Sequence, residues 1–245
     1  MTDTRKLEIV TGVPDRAMVI FAHPDDAEIG SGGVVATWVA AGCEVTYVLC
    51  TNGDSGTADR SLTPEQLARK RAEEQRAAAD FMGVKNVVML GYPDGELEDT
   101  RAFLSDIVRA IRQYRPHTVF VHDPYRMYGF QHRDHRKAGI TTTDAVYPYA
   151  RDHLHFAEHM EDGLEPHKVR ELWYWGMDTP NVIVDVTEGI ERQIAALVWH
   201  ESQIPGFNVP AGETIGDRVK KTATEWAEGY GFPYGAVFRR LIARR

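Results

Sequence analysis

Short, strongly apolar runs alternate along this chain with longer stretches of helical period. Runs rich in β-branched and aromatic residues at 17–22, 44–50, 86–90, 118–122, 172–175 and 182–186 read as strands. Helical patterns at 32–41, 64–82, 101–114, 134–146, 189–201 and 216–228 lie between most of them. Strand and helix in alternation predict an α/β fold: a mainly parallel sheet with helices on both faces. The helix at 64–82 has the clearest ends, with Thr63 as cap, Pro64 in the first turn and Gly83 after Met82 as a stop. Residues 147–168 mix Pro, His and acidic residues without a period, and are expected to run as a long excursion over the surface. There is no internal repeat, heptad array, low-complexity segment or linker, so the expectation is one domain over 1–245.

Composition narrows the function classes. Apolar residues at 43% and charged residues at 26% describe an ordinary globular chain, neither disordered nor membrane-embedded. No apolar run is long enough to cross a bilayer, and the opening Met1-Thr2-Asp3-Thr4-Arg5-Lys6-Leu7 has no apolar leader core, which predicts a cytoplasmic protein without a membrane partner. Cys43 and Cys50 fall at opposite ends of one predicted strand and are expected to be reduced, buried thiols. A net charge of −8 opposes nucleic-acid binding and points to small-molecule partners.

The chemistry concentrates at two strand ends. The run at 17–22 leads directly into His23-Pro24-Asp25-Asp26-Ala27-Glu28-Ile29-Gly30-Ser31-Gly32-Gly33, and Pro24 cannot continue a strand ladder. Ligands in open α/β sheets bind beyond the carboxyl ends of the strands, which is where this imidazole and these two carboxylates fall. A second cluster, Gln131-His132-Arg133-Asp134-His135-Arg136, follows the run ending at His122. If both segments occupy one sheet edge, His23, Asp26 and His135 can converge, and two His with one carboxylate suit a catalytic Zn²⁺ with an open position, although Fe²⁺ or Co²⁺ also fits such donors. Asp25 is then the candidate general base. His132 is the candidate acid or oxyanion stabiliser, and Asp134 could orient one of the imidazoles.

The segments His23 to Asp26 and His132 to His135, together with Leu90-Gly91-Tyr92-Pro93-Asp94-Gly95, resemble the LmbE/PIG-L family of zinc-dependent N-deacetylases. Arg71-Ala72-Glu73-Glu74, His200-Glu201-Ser202-Gln203 and the closing stretch 234–241 are further points of likeness. The resemblance implies a Rossmann-like α/β fold and removal of the acetyl group from an N-acetylglucosamine-type amino sugar or its conjugate. It also implies that the chain can assemble as a homo-oligomer. Residue by residue, it implies His23, Asp26 and His135 as metal ligands, Asp25 as base, His132 as acid or electrophile, and Arg71 and Asp94 facing the substrate. Phe130 stands where some family members carry a Tyr, and Gly235-Ala236 where an Ala-Glu pair is common.

Other readings stay open on sequence alone. An amidase acting on a larger conjugate amide would need the same centre, and a non-catalytic metabolite-binding protein could keep the pocket. Gly30, Gly32 and Gly33 lack dinucleotide-loop spacing and are expected to let the backbone turn into the next helix. His153, His155 and His159, with Asp152 and Glu158 beside them, are a weaker metal cluster that no strand end positions. Arg71 could instead pair with Glu74 on a helix surface, and Asp94 could be a Pro-Asp-Gly turn residue. His117 and His122 read as structural, and His167 and His200 as pocket wall. Trp173, Tyr174 and Trp175 read as core.

Overall fold

The computed structural model describes residues 6–204, 209–210 and 212–243; residues 1–5, on which part of the expectation about a leader rests, lie outside them. Among the described residues, eight strands form one sheet: β1 (Glu8–Ile9), β2 (Arg16–Phe21), β3 (Glu44–Thr51), β4 (Asn86–Tyr92), β5 (Thr118–His122), β6 (Glu171–Trp175), β7 (Val182–Asp185) and β8 (Gly235–Ile242). Their order is β1-β7-β8-β6-β5-β2-β3-β4, and only β8 runs antiparallel to its neighbours. The expected mainly parallel, Rossmann-like α/β architecture is therefore observed. The chain steps outward from β2 through β3 to β4, then returns to lay β5 on the other side of β2. That reversal opens a crevice between the carboxyl ends of β2 and β5, the switch point at which such sheets bind ligands.

Burial on both faces accounts for the uninterrupted apolar runs. In β2, Ala17, Val19 and Phe21 enter one core layer, while Met18, Ile20 and Ala22 just beyond the strand enter the other. The first layer packs against α1 (Asp26–Ala40) and α2 (Pro64–Met82), and also includes Ala196 of α6 (Ile190–Val198). The second is covered by α3 (Arg101–Tyr114) and α4 (Arg133–Val146). Trp173, Tyr174 and Trp175 are core, as expected. Helix α2 carries the expected ends: a capping box between Thr63 and Gln66, and Gly83 at φ 79°. Cys43 and Cys50 are free and buried. Among the described residues no helix is long and apolar enough to cross a membrane.

Four expectations are corrected. Helix α1 begins at Asp26 rather than at 32, so Gly30, Gly32 and Gly33 lie inside it and supply close approach rather than a turn. A Cβ on Gly30 would stand 2.5 Å from the Trp175 indole, and one on Gly32 2.8 Å from Gln193 of α6. The strands β1 and β8 were not expected: β1 has only two residues, and β8 mixes Arg239 and Arg240 into its apolar pattern because its outer end is exposed. The stretch 147–168 is tied down rather than merely laid over the surface. It forms a 3₁₀ turn (Tyr149–Arg151) and the short helix α5 (Glu158–Glu161), and the Arg112 guanidinium donates to the carbonyls of Tyr149, Ala150, Asp152, His155 and Phe156. His167 is not a pocket wall, because its Nε2 meets the Pro116 carbonyl at 2.7 Å, at the opposite end of β5 from the crevice.

Helix α7 (Ile215–Ala227), capped by Thr214 and Asp217, completes the described helices.

Candidate active site

One side of the β2–β5 crevice is built where β2 passes within a few residues into α1, the other where the loop 123–132 carries the chain from β5 to α4. His23 leaves β2, Asp25 is the N-cap of α1 and Asp26 its first residue. On the other side His122 ends β5, His132 is the N-cap of α4, and Asp134 and His135 occupy its first turn. His132 fills the cap position with its ring, Nδ1 accepting the Asp134 N–H at 3.2 Å.

Residues separated by more than a hundred positions meet here. His23 Nδ1 lies 3.1 Å from His135 Nε2 and 3.4 Å from Asp26 Oδ2, and His135 Nε2 lies 3.2 Å from Asp26 Oδ1. The His23 N–H donates to Asp26 Oδ2 at 2.7 Å, which fixes that carboxylate against the strand end. On its other edge, His23 Nε2 is 3.1 Å from both Asp94 Oδ1 and Asp134 Oδ2. Asp134 is fully buried and also accepts the N–H groups of Gly95, at 2.7 Å, and Leu97, at 3.2 Å. The His132 ring stands edge-on to His23 with centroids 4.4 Å apart.

Asp25 has an unusual backbone, with φ at 101°, and its carboxylate makes no capping bond to α1. Its side chain lies 3.8 Å from Arg71 Nη2. Arg71 itself is buried and gives its guanidinium to the carbonyls of Pro24, Gly53 and Ser55, with Asp94 Oδ2 at 3.5 Å. The alternative of a surface pair with Glu74 fails, since the Glu74 carboxylate accepts instead from Ser202. Asp94 is not a free turn residue either, and its own N–H donates to Asp54.

The electrostatics favour a cation. Burial alone would lower the His23 imidazole, yet hydrogen bonds with Asp134, Asp26 and Asp94 outweigh it and push His23 up to about 11. Burial likewise opposes ionisation of Asp26, but the charges of His135 and His122 and the hydrogen bonds from His135 and His23 hold it well below the usual carboxylate range. Asp25 goes the opposite way: burial first, and then the Asp26 charge, raise it well above that range. Burial, followed by the charges of His23 and His135, lowers His132.

Three overlapping donor sets occur among the described residues: His23 with His132 and His135; His23 with Asp94, His132 and Asp134; and Asp26 with His122 and His135. The expected trio bridges the first and third. Its two nitrogens stand 3.1 Å apart, close to the edge of a tetrahedral set, about 3.3–3.4 Å for metal–ligand bonds of about 2.0–2.1 Å, while Asp26 turns Oδ2 to His23 at 3.4 Å and Oδ1 to His135 at 3.2 Å. The donors therefore fit a divalent metal. His153, His155 and His159 form no such set; His159 is buried against the Ser105 hydroxyl.

His122 is the residue that the sequence reading missed. Its ring stacks on His135 at 3.8 Å, its Nε2 is 3.6 Å from Asp26 Oδ1, and its Nδ1 is buried without a partner. The signal was available, since His122 closes an apolar strand as His23 follows one. His200 was expected at a pocket wall and is fully buried, with Nε2 3.2 Å from Glu28 Oε2.

A parallel-sheet α/β fold with an imidazole–carboxylate donor set at its switch point has the architecture of a metal-dependent hydrolase. The model for PIG-L, GlcNAc-PI de-N-acetylase, matches residues 18–146, which contain both strand-end clusters. The chain belongs to this family. It is 35% identical to the diacetylchitobiose deacetylase of Thermococcus kodakarensis over 78% of this chain and 70% of that protein. It is 31% identical to the 1D-myo-inositol 2-acetamido-2-deoxy-alpha-D-glucopyranoside deacetylase of Rhodococcus erythropolis over 77% of this chain and 67% of the relative. Among solved structures, the N,N'-diacetylchitobiose deacetylase of Pyrococcus horikoshii superposes with a TM-score of 0.84 at 31% identity, covering 94% of this chain and 84% of that one.

Proposed function

We propose that this chain is a zinc-dependent hydrolase that removes the acetyl group from an N-acetylglucosamine-type amino sugar or its conjugate. The observation that carries the reading is the convergence of His23, Asp26 and His135 within 3.1 to 3.4 Å, with Asp25 and His132 flanking them. The relatives' names supply the substrate class, since they act on acetylated amino sugars in a disaccharide and in an inositol conjugate.

His23 Nδ1, Asp26 and His135 Nε2 would hold the ion, and their two-nitrogen, one-carboxylate character favours zinc. When bound, such an ion supplies Lewis acidity toward an amide carbonyl and toward water. The raised Asp25 carboxyl is suited to take a proton from the attacking water and return it to the departing amine. Because His132 Nδ1 accepts the Asp134 N–H, neutral His132 carries its proton on Nε2 and donates from there to the oxygen on which charge develops. Asp134 and Asp94 hold the His23 ring from behind. Arg71 fixes the loop carbonyls around Pro24 and Gly53, which places its charge beside Asp25 and Asp94, on the side where a sugar would lie.

Metal content of the purified protein, measured with acetate release from a panel of N-acetylglucosaminides before and after chelation, tests the reading. Stoichiometric zinc with chelator-sensitive acetate release is the expected result. Zinc without acetate release, but with turnover of larger amides, would replace the deacetylase by an amidase.

A further inference from the structure

Behind the metal-type donors runs a second polar chain that takes no part in the proposed reaction. The Asp25 N–H donates to Gln75 Oε1 at 3.0 Å. Gln75 Nε2 in turn faces both Glu28 carboxylate oxygens, at 3.2 and 3.3 Å, and Glu28 Oε2 lies 3.2 Å from His200 Nε2. Gln75, Glu28 and His200 are each 0 % exposed. Gln193 of α6 donates to the Glu28 carbonyl at 2.8 Å, fixing the same turn of α1 from the other side.

Two observations give this chain a direction. Asp25 holds a φ of 101°, which a residue with a Cβ adopts only where its surroundings impose it. That conformation turns the Asp25 N–H inward, away from α1, to Gln75. The amide of Gln75 can satisfy that N–H only if its oxygen faces Asp25, and Glu28 enforces that orientation by accepting from the NH2 end. A carboxylate cannot donate, so a flipped amide would leave the Asp25 N–H without an acceptor and set the Gln75 carbonyl against Glu28.

We infer that Glu28 and Gln75, anchored by His200, are positioning residues that lock the Asp25 backbone in its left-handed conformation and so aim its carboxylate at the reacting centre. The inference rests on Asp25 being the base of the proposed deacetylase. It also assigns a task to His200, in a segment whose likeness to the family had no role. Displacement of a catalytic group by about 1 Å costs up to about 100-fold in rate, which sets the scale of the effect.

The test compares wild type with Gln75→Met, Glu28→Leu and Glu28→Gln, each loaded with zinc, for zinc content, kcat and KM toward an N-acetylglucosaminide. Gln75→Met and Glu28→Leu are expected to keep zinc and KM while kcat falls about 10–100-fold. Glu28→Gln retains an oxygen to accept from Gln75 and is expected to recover most of the kcat that Glu28→Leu loses. A folded, zinc-loaded Gln75→Met with kcat within about twofold of wild type would overturn the inference, as would Glu28→Gln no better than Glu28→Leu. A crystal structure of Gln75→Met, or of Glu28→Leu if the former does not fold, separates this failure from failure of the functional reading. If wild type releases no acetate, an Asp25 that leaves positive φ in the variant still supports the positioning role, and an unmoved Asp25 rejects it.

Discussion

The Nε2 of His23 and the Oδ2 of Asp134 stand 3.1 Å apart across 111 positions of sequence, and the same carboxylate accepts backbone N–H groups from Gly95 and Leu97. One buried side chain thus joins the end of β2, the loop after β4 and the first turn of α4. Its position makes Asp134 the group that sets the ring orientation of His23 and leaves Nδ1 facing His135 and Asp26.

Asp134→Asn removes one acceptor from that junction, because an NH2 must then face either the Gly95 side or the Leu97 N–H. Loss of such a supporting contact typically costs about 10–100-fold in metal affinity. Zinc affinity by chelator competition should fall by that amount, and an unchanged affinity would mean that His23 is held by its other contacts alone.

Asp25→Asn keeps the shape of the side chain and removes the base. Metal content should be retained, since Asp25 is not among the converging donors, while kcat should drop by about 10²–10⁴-fold. Steady-state kinetics beside metal analysis decide it. A variant with near-native turnover would take the base role away from Asp25.

Metal binding should depend steeply on pH. His23, held up at about 11 by three carboxylates, carries a proton near neutrality that a metal must displace. For one displaced proton the affinity falls about tenfold per unit drop in pH, so about 100-fold from pH 8 to pH 6. Calorimetry in buffers of different ionisation enthalpy counts the released proton directly, and an affinity flat across that range would contradict the proton held by His23.

The strands and helices that carry the site were legible as elements because each has one face or both in the core, although the start of α1 was not, and the two clusters were legible because they sit where apolar runs stop. What the sequence did not reveal depends on contacts between distant elements. Gly30, Gly32 and Gly33 look like turn residues until Trp175 and Gln193 are seen to occupy the space a Cβ would need. Arg71 looks like one half of an i,i+3 pair until the carbonyls of the loops after β2 and β3 take its guanidinium. Glu28 in α1, Gln75 in α2 and His200 just after α6 come from three distant parts of the chain whose meeting no local pattern encodes. Arg112 and its five carbonyls convert an aperiodic stretch into an ordered one by the same kind of long-range contact.

His167 supplies a pH effect on stability away from the site. Burial, aided by the charges of Arg115, His117 and Arg16, lowers its pKa from 6.5 to about 4. Between those values the unfolded chain binds the proton and the folded chain does not. The stabilisation is complete above about pH 6.5 and is lost as pH falls toward 4. The difference in urea midpoint between wild type and His167→Gln should therefore shrink from pH 7 to pH 4.5, and a constant difference would show that the imidazole is not held neutral.

Gly30→Ala tests the close packing beside the site. The new Cβ would meet three atoms of the Trp175 indole at 2.5 to 2.6 Å, and Trp175 is buried against His122, with ring centroids 4.6 Å apart. Alanine gains about 1 kcal/mol over glycine inside a helix, whereas overpacking of a rigid core ring costs about 1–3 kcal/mol. The second effect should win here, because the indole packs on His122, which stacks in turn on His135. A net loss of about 1 kcal/mol corresponds to a fall in Tm of about 2–4 °C for a chain of this size. The same displacement should weaken zinc binding, since it reaches a donor through one intervening ring. A variant with raised Tm and native zinc affinity would show that Trp175 has room to move and that α1 does not need glycine at this position.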